Sequence, residues 1–219
     1  MELIRIELHC HTDCSKDGLI KPEQLPILCQ KKGIDRVAVT DHNTITGAVR
    51  AQKVDPQRVI IGEEVMTTVG ELLAFFVQEE VPVGLPPEEA LRRLGEQGAF
   101  ISVSHPFDRL RCGSWKEEDL LPLLAQLDAF ETFNARALWP NANRKAAAFA
   151  YRYGLAGTVG SDAHYQGEIG QATLLLPAFR DAQGLRLALP QARIQARISP
   201  PWVHLASRYA AWSKGRRQT

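Results

Sequence analysis

The order of apolar segments predicts a single-domain α/β fold, with a parallel sheet closed or nearly closed into a barrel. Three observations carry this expectation. An apolar strand followed by a helix recurs about seven times, the pattern of βα units wound into one sheet. Nearly every residue capable of chemistry stands just after one of those strands, and in a β/α barrel such positions converge on one rim. An open doubly wound sheet would normally carry a glycine-rich phosphate loop, and the sequence has none. A chain of 219 residues, 45% hydrophobic and 23% charged, is long enough to bury one sizeable core.

The first strand holds Leu3, Ile4, Ile6 and Leu8 and runs into Glu7-Leu8-His9-Cys10-His11-Thr12. A strand repeats every two residues, so His9 and His11 share one face and Cys10 points off it, into the core. Two imidazoles so placed can grip one divalent ion. Glu7, on the same face, could accept a ring N–H and set the tautomer. Residues 13–20 form a polar loop containing Asp17-Gly18. Residues 22–32 predict a helix with a proline at its start and Gly33 as its stop.

Residues 36–40 are a buried strand delivering Thr40-Asp41-His42-Asn43, followed by a short helix over 46–53. A third strand, 58–61, delivers Gly62-Glu63-Glu64. The fourth, 71–77, begins at Glu71 and is expected to run back as a hairpin through Gly70. A helix over 86–97 and a strand over 99–104 lead to His105-Pro106-Phe107-Asp108. A loop with Arg109, Arg111 and Lys116 precedes a helix over 117–126. The strand 128–133 carries Glu131 and ends at Asn134-Ala135-Arg136. An alanine-rich helix, 143–153, leads to a strand over 155–160 that delivers Ser161-Asp162-Ala163-His164. A last strand (172–176), a helix (181–189) and a tail basic at its end complete the reading.

Composition excludes several classes. A net charge of +1 argues against bulk electrostatic capture of nucleic acid, while leaving local basic patches open. Cys10, Cys14, Cys29 and Cys112 form no Cys-x-x-Cys pair, which argues against a zinc ribbon or thioredoxin-like site and predicts buried or free thiols. No signal-peptide core or membrane-length apolar run is present, so the expectation is a soluble, cytoplasmic protein without a membrane partner.

Five of the six histidines stand at strand ends, beside Asp17, Asp41, Glu64 and Asp162. Charges gathered on one rim need partners or a metal, so the constellation points to a metal centre. His204 lies outside it and reads as structural. His9-x-His11, Asp17-Gly18, Thr40-Asp41-His42-Asn43, Gly62-x-Glu64, Ser104-His105-Pro106, Glu131-x-x-Asn134 and Gly160-Ser161-Asp162-Ala163-His164 occur in that order. As an ordered set they resemble the PHP family, the polymerase and histidinol phosphatase family of metal-dependent phosphoesterases. The resemblance implies a distorted (β/α)7 barrel with two to three divalent ions at its rim. Carried over by position, His9, His11, Glu64 and Asp162 would hold the first ion. Glu64 would bridge to a second, completed by His105 and Glu71. Asp17, His42 and His164 would hold a third. Two departures stand out: position 71 is Glu where many relatives place His, and residues 78–100 contain no His or Cys. That stretch is also too short for the helical cap of some small-molecule relatives, which predicts a more open cleft.

The expected function is therefore hydrolysis of a phosphomonoester, on a small metabolite or on a nucleotide or oligonucleotide end. A hydroxide shared by two cations is a nucleophile at neutral pH. Mixed imidazole and carboxylate ligands suit manganese, iron or zinc without choosing among them. Asp17, His42 and His164 are the catalytic candidates, with Arg136 placed to hold a phosphate by a two-pronged contact. Lys16, Arg109, Arg111 and Lys116 are weaker candidates that also read as a solvated surface. Asp41 is expected to support its neighbours, His42 among them. Trp212, Lys214, Arg216 and Arg217 could touch a nucleic acid or simply form a basic terminus. Two rival readings remain. A metal-dependent amidohydrolase also begins with His-x-His, but no lysine stands plainly at a strand end to bridge two metals. A non-catalytic PHP module would be expected to have lost ligands, whereas the positions here retain ligand-type residues.

Overall fold

The computed structural model describes residues 2–111 and 113–215; Cys112, Arg216 and Arg217 lie outside the described residues. The first parallel run consists of β1 (Leu3–Glu7), α1 (Leu25–Lys31), β2 (Arg36–Val39), α2 (Thr46–Gln52) and β3 (Val59–Met66). β1 pairs with β2, and β2 with β3, all parallel. A 3-10 turn at Pro22–Gln24 precedes α1, and Gly33 takes φ 65° beyond its end, a conformation that favours glycine. The hairpin return is as expected: β4 (Glu71–Phe75) is antiparallel to β3, with Glu64 opposite Leu73.

The second parallel run follows α3 (Pro87–Glu96), with β5 (Phe100–Val103), α4 (Glu117–Leu120), β6 (Ala129–Asn134), α5 (Pro140–Arg152) and β7 (Ala156–Gly160). β4 is antiparallel to β5, and β5, β6 and β7 are mutually parallel. The helix expected over 117–126 is α-helical only to Leu120 and continues as a 3-10 segment, Leu121–Gln126. Pro122 lacks the N–H that an α-helical turn needs there.

The last elements are β8 (Ala172–Pro177), α6 (Ala182–Ala188), β9 (Arg193–Ala196) and α7 (Val203–Gly215). The described sheet thus has nine strands, in the order β7-β6-β5-β4-β3-β2-β1-β8-β9, where the sequence predicted seven βα units and a final strand. β9 and α7 were not expected. All four residues of β9 are exposed, so no period-two pattern marks it. Among its residues whose burial is described, α7 buries only Val203, Ser207 and Ala210, a stripe too narrow and small to read as amphipathic. No helix among the described residues is long and apolar enough to cross a membrane.

The barrel nearly closes between β1 and β7. The segments beyond these strands meet in a parallel bridge, Cys10 to Ala163, with Asp162 N donating to His9 O (2.8 Å) and His11 N to Ala163 O (2.8 Å). Glu7 pins this seam. Its carboxylate accepts from Ser161 N (2.9 Å), Ser161 Oγ (2.6 Å) and Gly170 N (3.2 Å). Glu7 therefore serves the seam, and the ring N–H foreseen for it goes elsewhere. Apolar clusters fill the barrel and the layers beneath its helices, with Phe130 stacked on Phe149 at 5.0 Å in one and Phe75 on Phe100 at 5.7 Å in another. Cys10 packs with Ile20, Leu25 and Cys29 on the side away from the histidines.

Glu63 alternates with Glu64 along β3 and is buried on the opposite face, where Val81 N donates to it at 3.1 Å and its other oxygen has no partner. Burial, with a smaller push from Glu80, raises its carboxyl from the ordinary 4.5 to about 7. Between those values the folded chain keeps a proton that the unfolded chain has lost, so stability falls as pH rises through that window. The full loss, on the order of 3 kcal/mol, is reached above neutrality. Glu63→Gln should flatten this part of the profile. Melting temperatures of both proteins between pH 5 and 8 check it, and parallel curves would assign the slope to another group.

Candidate metal centre

Strand ends place the residues of the candidate centre, except Asp17, which stands in the loop after β1. β1 delivers His9 and His11, and the period-two expectation holds: their Nε2 atoms converge to 3.1 Å. β2 delivers Asp41 and His42, β3 carries Glu64, and β4 opens with Glu71. The segments after β5 and β7 supply His105, Asp162 and His164. His105 and Asp162 have positive φ (20° and 53°), as does Asn43 (54°), so three rim positions hold unfavourable backbone conformations.

The three sets foreseen from sequence are brought together. Asp162 Oδ1 lies 3.2 Å from His11 Nε2 and 3.6 Å from His9 Nε2, with Glu64 oxygens 3.4 Å from both rings. His105 Nε2 lies 3.1 Å from Glu64 and 3.4 Å from Glu71. Asp17 lies 3.7 Å from His42 Nε2 and 3.3 Å from His164 Nε2. The sets also overlap more than expected. His42 Nδ1 faces Glu64 (2.9 Å) and Glu71 (3.5 Å), so His42 stands between the second and third groups. His11, His42 and His164 form a further group with ligand atoms within 4.8 Å of one another.

A second layer orients the rings. Glu131 Oε1 accepts from His9 Nδ1 (2.9 Å), while its other oxygen accepts from His105 N (2.7 Å) and Asn134 Nδ2 (3.1 Å). Ser15 Oγ stands 3.3 Å from His11 Nδ1, accepts from His42 N (3.0 Å) and donates to Asp41 (2.7 Å). Asp41 thus supports both histidines through Ser15. With their Nδ1 atoms engaged, His9 and His11 turn their Nε2 atoms toward the same space. Gly160 makes room for this: a Cβ there would stand 2.2 Å from His9 Cβ and 2.6 Å from Glu131 Oε1. Gly113 does the same for Glu71, whose carboxylate would be 2.2 Å from an added Cβ.

The electrostatics call for cations. Burial opposes ionisation of Asp162, yet Arg111 and then His9 hold it well below the usual carboxylate range. Glu64 is likewise held low, against burial, by His9 and His42. Burial, followed by His164 and His42, pushes His11 down to about 4, leaving it a neutral ring with a lone pair to give. Asp162 Oδ1 and Asp17 Oδ1 are buried without a hydrogen-bond partner, and Glu64 Oε2 is buried beside ring nitrogens of His11 and His42. Oxygens so placed beside imidazole lone pairs fit divalent ions.

The cationic candidates take varied positions. Arg111 pairs with Asp162 Oδ2, a contact the loop sequence gave no reason to expect. Arg136 lines the cleft but is almost fully buried, and its guanidinium is engaged. It pairs with Glu168 (3.2 Å), donates to Val203 O (3.1 Å) and Ser207 Oγ, and lies 2.6 Å from His164 Nδ1. Lys16 lines the cleft, whereas Arg109 and Lys116 line a separate groove. Lys214 donates to Asp13 O, Ser15 O and Gly18 O, holding α7 on the rim. His204 and Arg208 of α7 form one wall of a cleft of about 740 Å³.

Residues 140–193 match a family model described as PHP-associated. An uncharacterized protein of Methanocaldococcus jannaschii is 37% identical over 172 residues, covering 77% of this chain and 69% of that protein. A second from the same organism is 36% identical over 147 residues, covering 60% of this chain and 82% of its own length. A two-domain protein from Bacteroides vulgatus containing a predicted PHP-like metal-dependent phosphoesterase shares the fold. Its TM-score is 0.73 at 18% identity, covering 95% of this chain and 70% of that one.

The three groups around Glu131 are all donors, so an amide there must turn its NH2 against one of them in either orientation. Glu131→Gln should weaken metal affinity roughly 10–100-fold while leaving the circular dichroism spectrum unchanged. Equilibrium dialysis against manganese measures this, and undiminished affinity would remove Glu131 from the centre.

Proposed function

Because the chain belongs to the PHP family, we propose that it is a metal-dependent phosphoesterase that hydrolyses a phosphomonoester, on a small metabolite or on a nucleotide or oligonucleotide end. One observation carries the reading: Asp162 Oδ1, buried without a hydrogen-bond partner, and the buried Glu64 Oε2 converge with the Nε2 atoms of His9 and His11. His9, His11, Glu64 and Asp162 would hold one ion. Glu64, Glu71 and His105 would hold a second, with His42 Nδ1 in reach, and Asp17, His42 and His164 a third. Two to three divalent ions bound there would activate water and neutralise phosphoryl charge, and this donor set suits manganese, iron or zinc.

The remaining roles belong to the chain itself. Glu131, Ser15 and Asp41 hold the rings in the required tautomers. Lys16 and Arg208, on the cleft walls, draw an anionic ester inward. Arg136 holds α7 and the His164 ring in place, and reaches a phosphate only by leaving one of those partners. These cations favour a phosphate over the neutral amide of an amidohydrolase substrate. Protein expressed with ample metal should carry at least two equivalents of transition metal and hydrolyse phosphomonoesters. Asp162→Ala should lose most of both. Elemental analysis below one equivalent, or turnover of amides alone across a substrate panel, would overturn the proposal.

A further inference from the structure

The cleft wall formed by α7 carries a histidine with no part in the centre. Helix α7 is docked at both ends, by Arg136 on Val203 O and Ser207 Oγ and by Lys214 on three carbonyls of residues 13–18. That docking sets His204 on the wall of the cleft whose floor includes Asp17, His42 and His164. The His204 ring is half-buried on that wall, beside the main-chain carbonyl of Arg136. The charged groups acting on it are Arg136 after β6, Arg111 after β5 and Asp162 after β7.

Hydrolysis of an alkyl phosphate needs a proton at the departing oxygen, because an alkoxide is a poor leaving group. The histidines and carboxylates of the centre are committed to ions in the proposed function. The lysine and arginines that line the cleft are groups that bind phosphate oxygens. The thiol of Cys14, also on the cleft, is pushed up by burial. Among the described residues that line the cleft, His204 is the titrating group left over.

We propose that His204 is a catalytic residue that donates a proton to the leaving-group oxygen as the ester P–O bond breaks, an inference that rests on the phosphoesterase reading. Water forms the new P–O bond and its proton passes to solvent. The electron pair of the broken bond stays with the alcohol oxygen, which takes the His204 proton, and the ring is reprotonated from solvent. Burial, followed by Arg136 and Arg111, holds this ring below the ordinary histidine value, so its imidazolium form is the stronger acid and is more populated as pH falls.

The test compares two leaving groups. p-Nitrophenolate departs without help, whereas ethoxide does not. His204→Gln in the metal-loaded protein should lower kcat for ethyl phosphate by roughly 100-fold or more, and change p-nitrophenyl phosphate turnover by less than about threefold. Metal content and the melting temperature should match the parent. His204→Asn, which shortens the side chain, should repeat the pattern and guards against a folding defect of the first variant. Equal losses on both esters would make His204 a wall residue and overturn the inference, as would full activity on ethyl phosphate. Metal-loaded parent protein inactive on both esters would instead overturn the phosphoesterase reading, and this inference with it.

Discussion

The seam between residues 9–11 and 162–163 is the constraint on which the rest depends. Two backbone hydrogen bonds of 2.8 Å join the ends of β1 and β7, the strands farthest apart in the first seven. They carry His9 and His11 to Asp162 and His164, more than 150 residues away in the chain. Glu7 reinforces the seam with bonds to Ser161 and Gly170, and Gly160 removes the one Cβ that would hold the strands apart. Without that approach the first-strand histidines would face a carboxylate only on β3.

Closure concentrates charge that the fold must then manage. Glu64, Glu71, Glu131 and Asp162 gather at a rim where water is largely excluded, with the partly exposed Asp17 beside them, and each unpaired buried carboxylate there carries a desolvation cost. The protein answers in layers. Glu131 and Asn134 lock His9, His105 and Asp162 into one network, and Asp41 acts through Ser15 on His11 and His42. The strained backbones of His105 and Asp162 lie within these networks, which over-determine them. Rigid ligand placement and backbone strain are thus two consequences of the same closure.

Helix α7 gives the cleft its second side. Arg136, which sequence alone offers as a free phosphate fork, spends its donors on α7 and on the pair with Glu168. The same guanidinium lies against His164, so the position of the wall and the orientation of a candidate ligand are mechanically linked. A short chain without a cap after β4 covers its centre in this way, with a helix added at the far end of the sequence.

Much of the architecture and of the centre was legible in the sequence because both are written in local periods. Alternation along a strand put His9 and His11 on one face and Cys10 on the other, and Gly70 before an apolar run gave the antiparallel return of β4. Residues just after strands share a rim in any β/α barrel, which gathered His42, Glu64, His105, Asp162 and His164 before any coordinates. What lay beyond reach depended on partners distant in the chain. Glu7 was the orienter of His9 that strand alternation offered, and the approach of Ser161 to Glu7 left that role to Glu131. β9 and α7 bury too little apolar surface to mark themselves, so the surface they dock on defines them. The sequence by itself determined which side chains face the rim, through the two-residue repeat of extended backbone. Tertiary structure decided which of them meet, because contacts across the seam and under α7 join segments whose local sequence carries no record of one another.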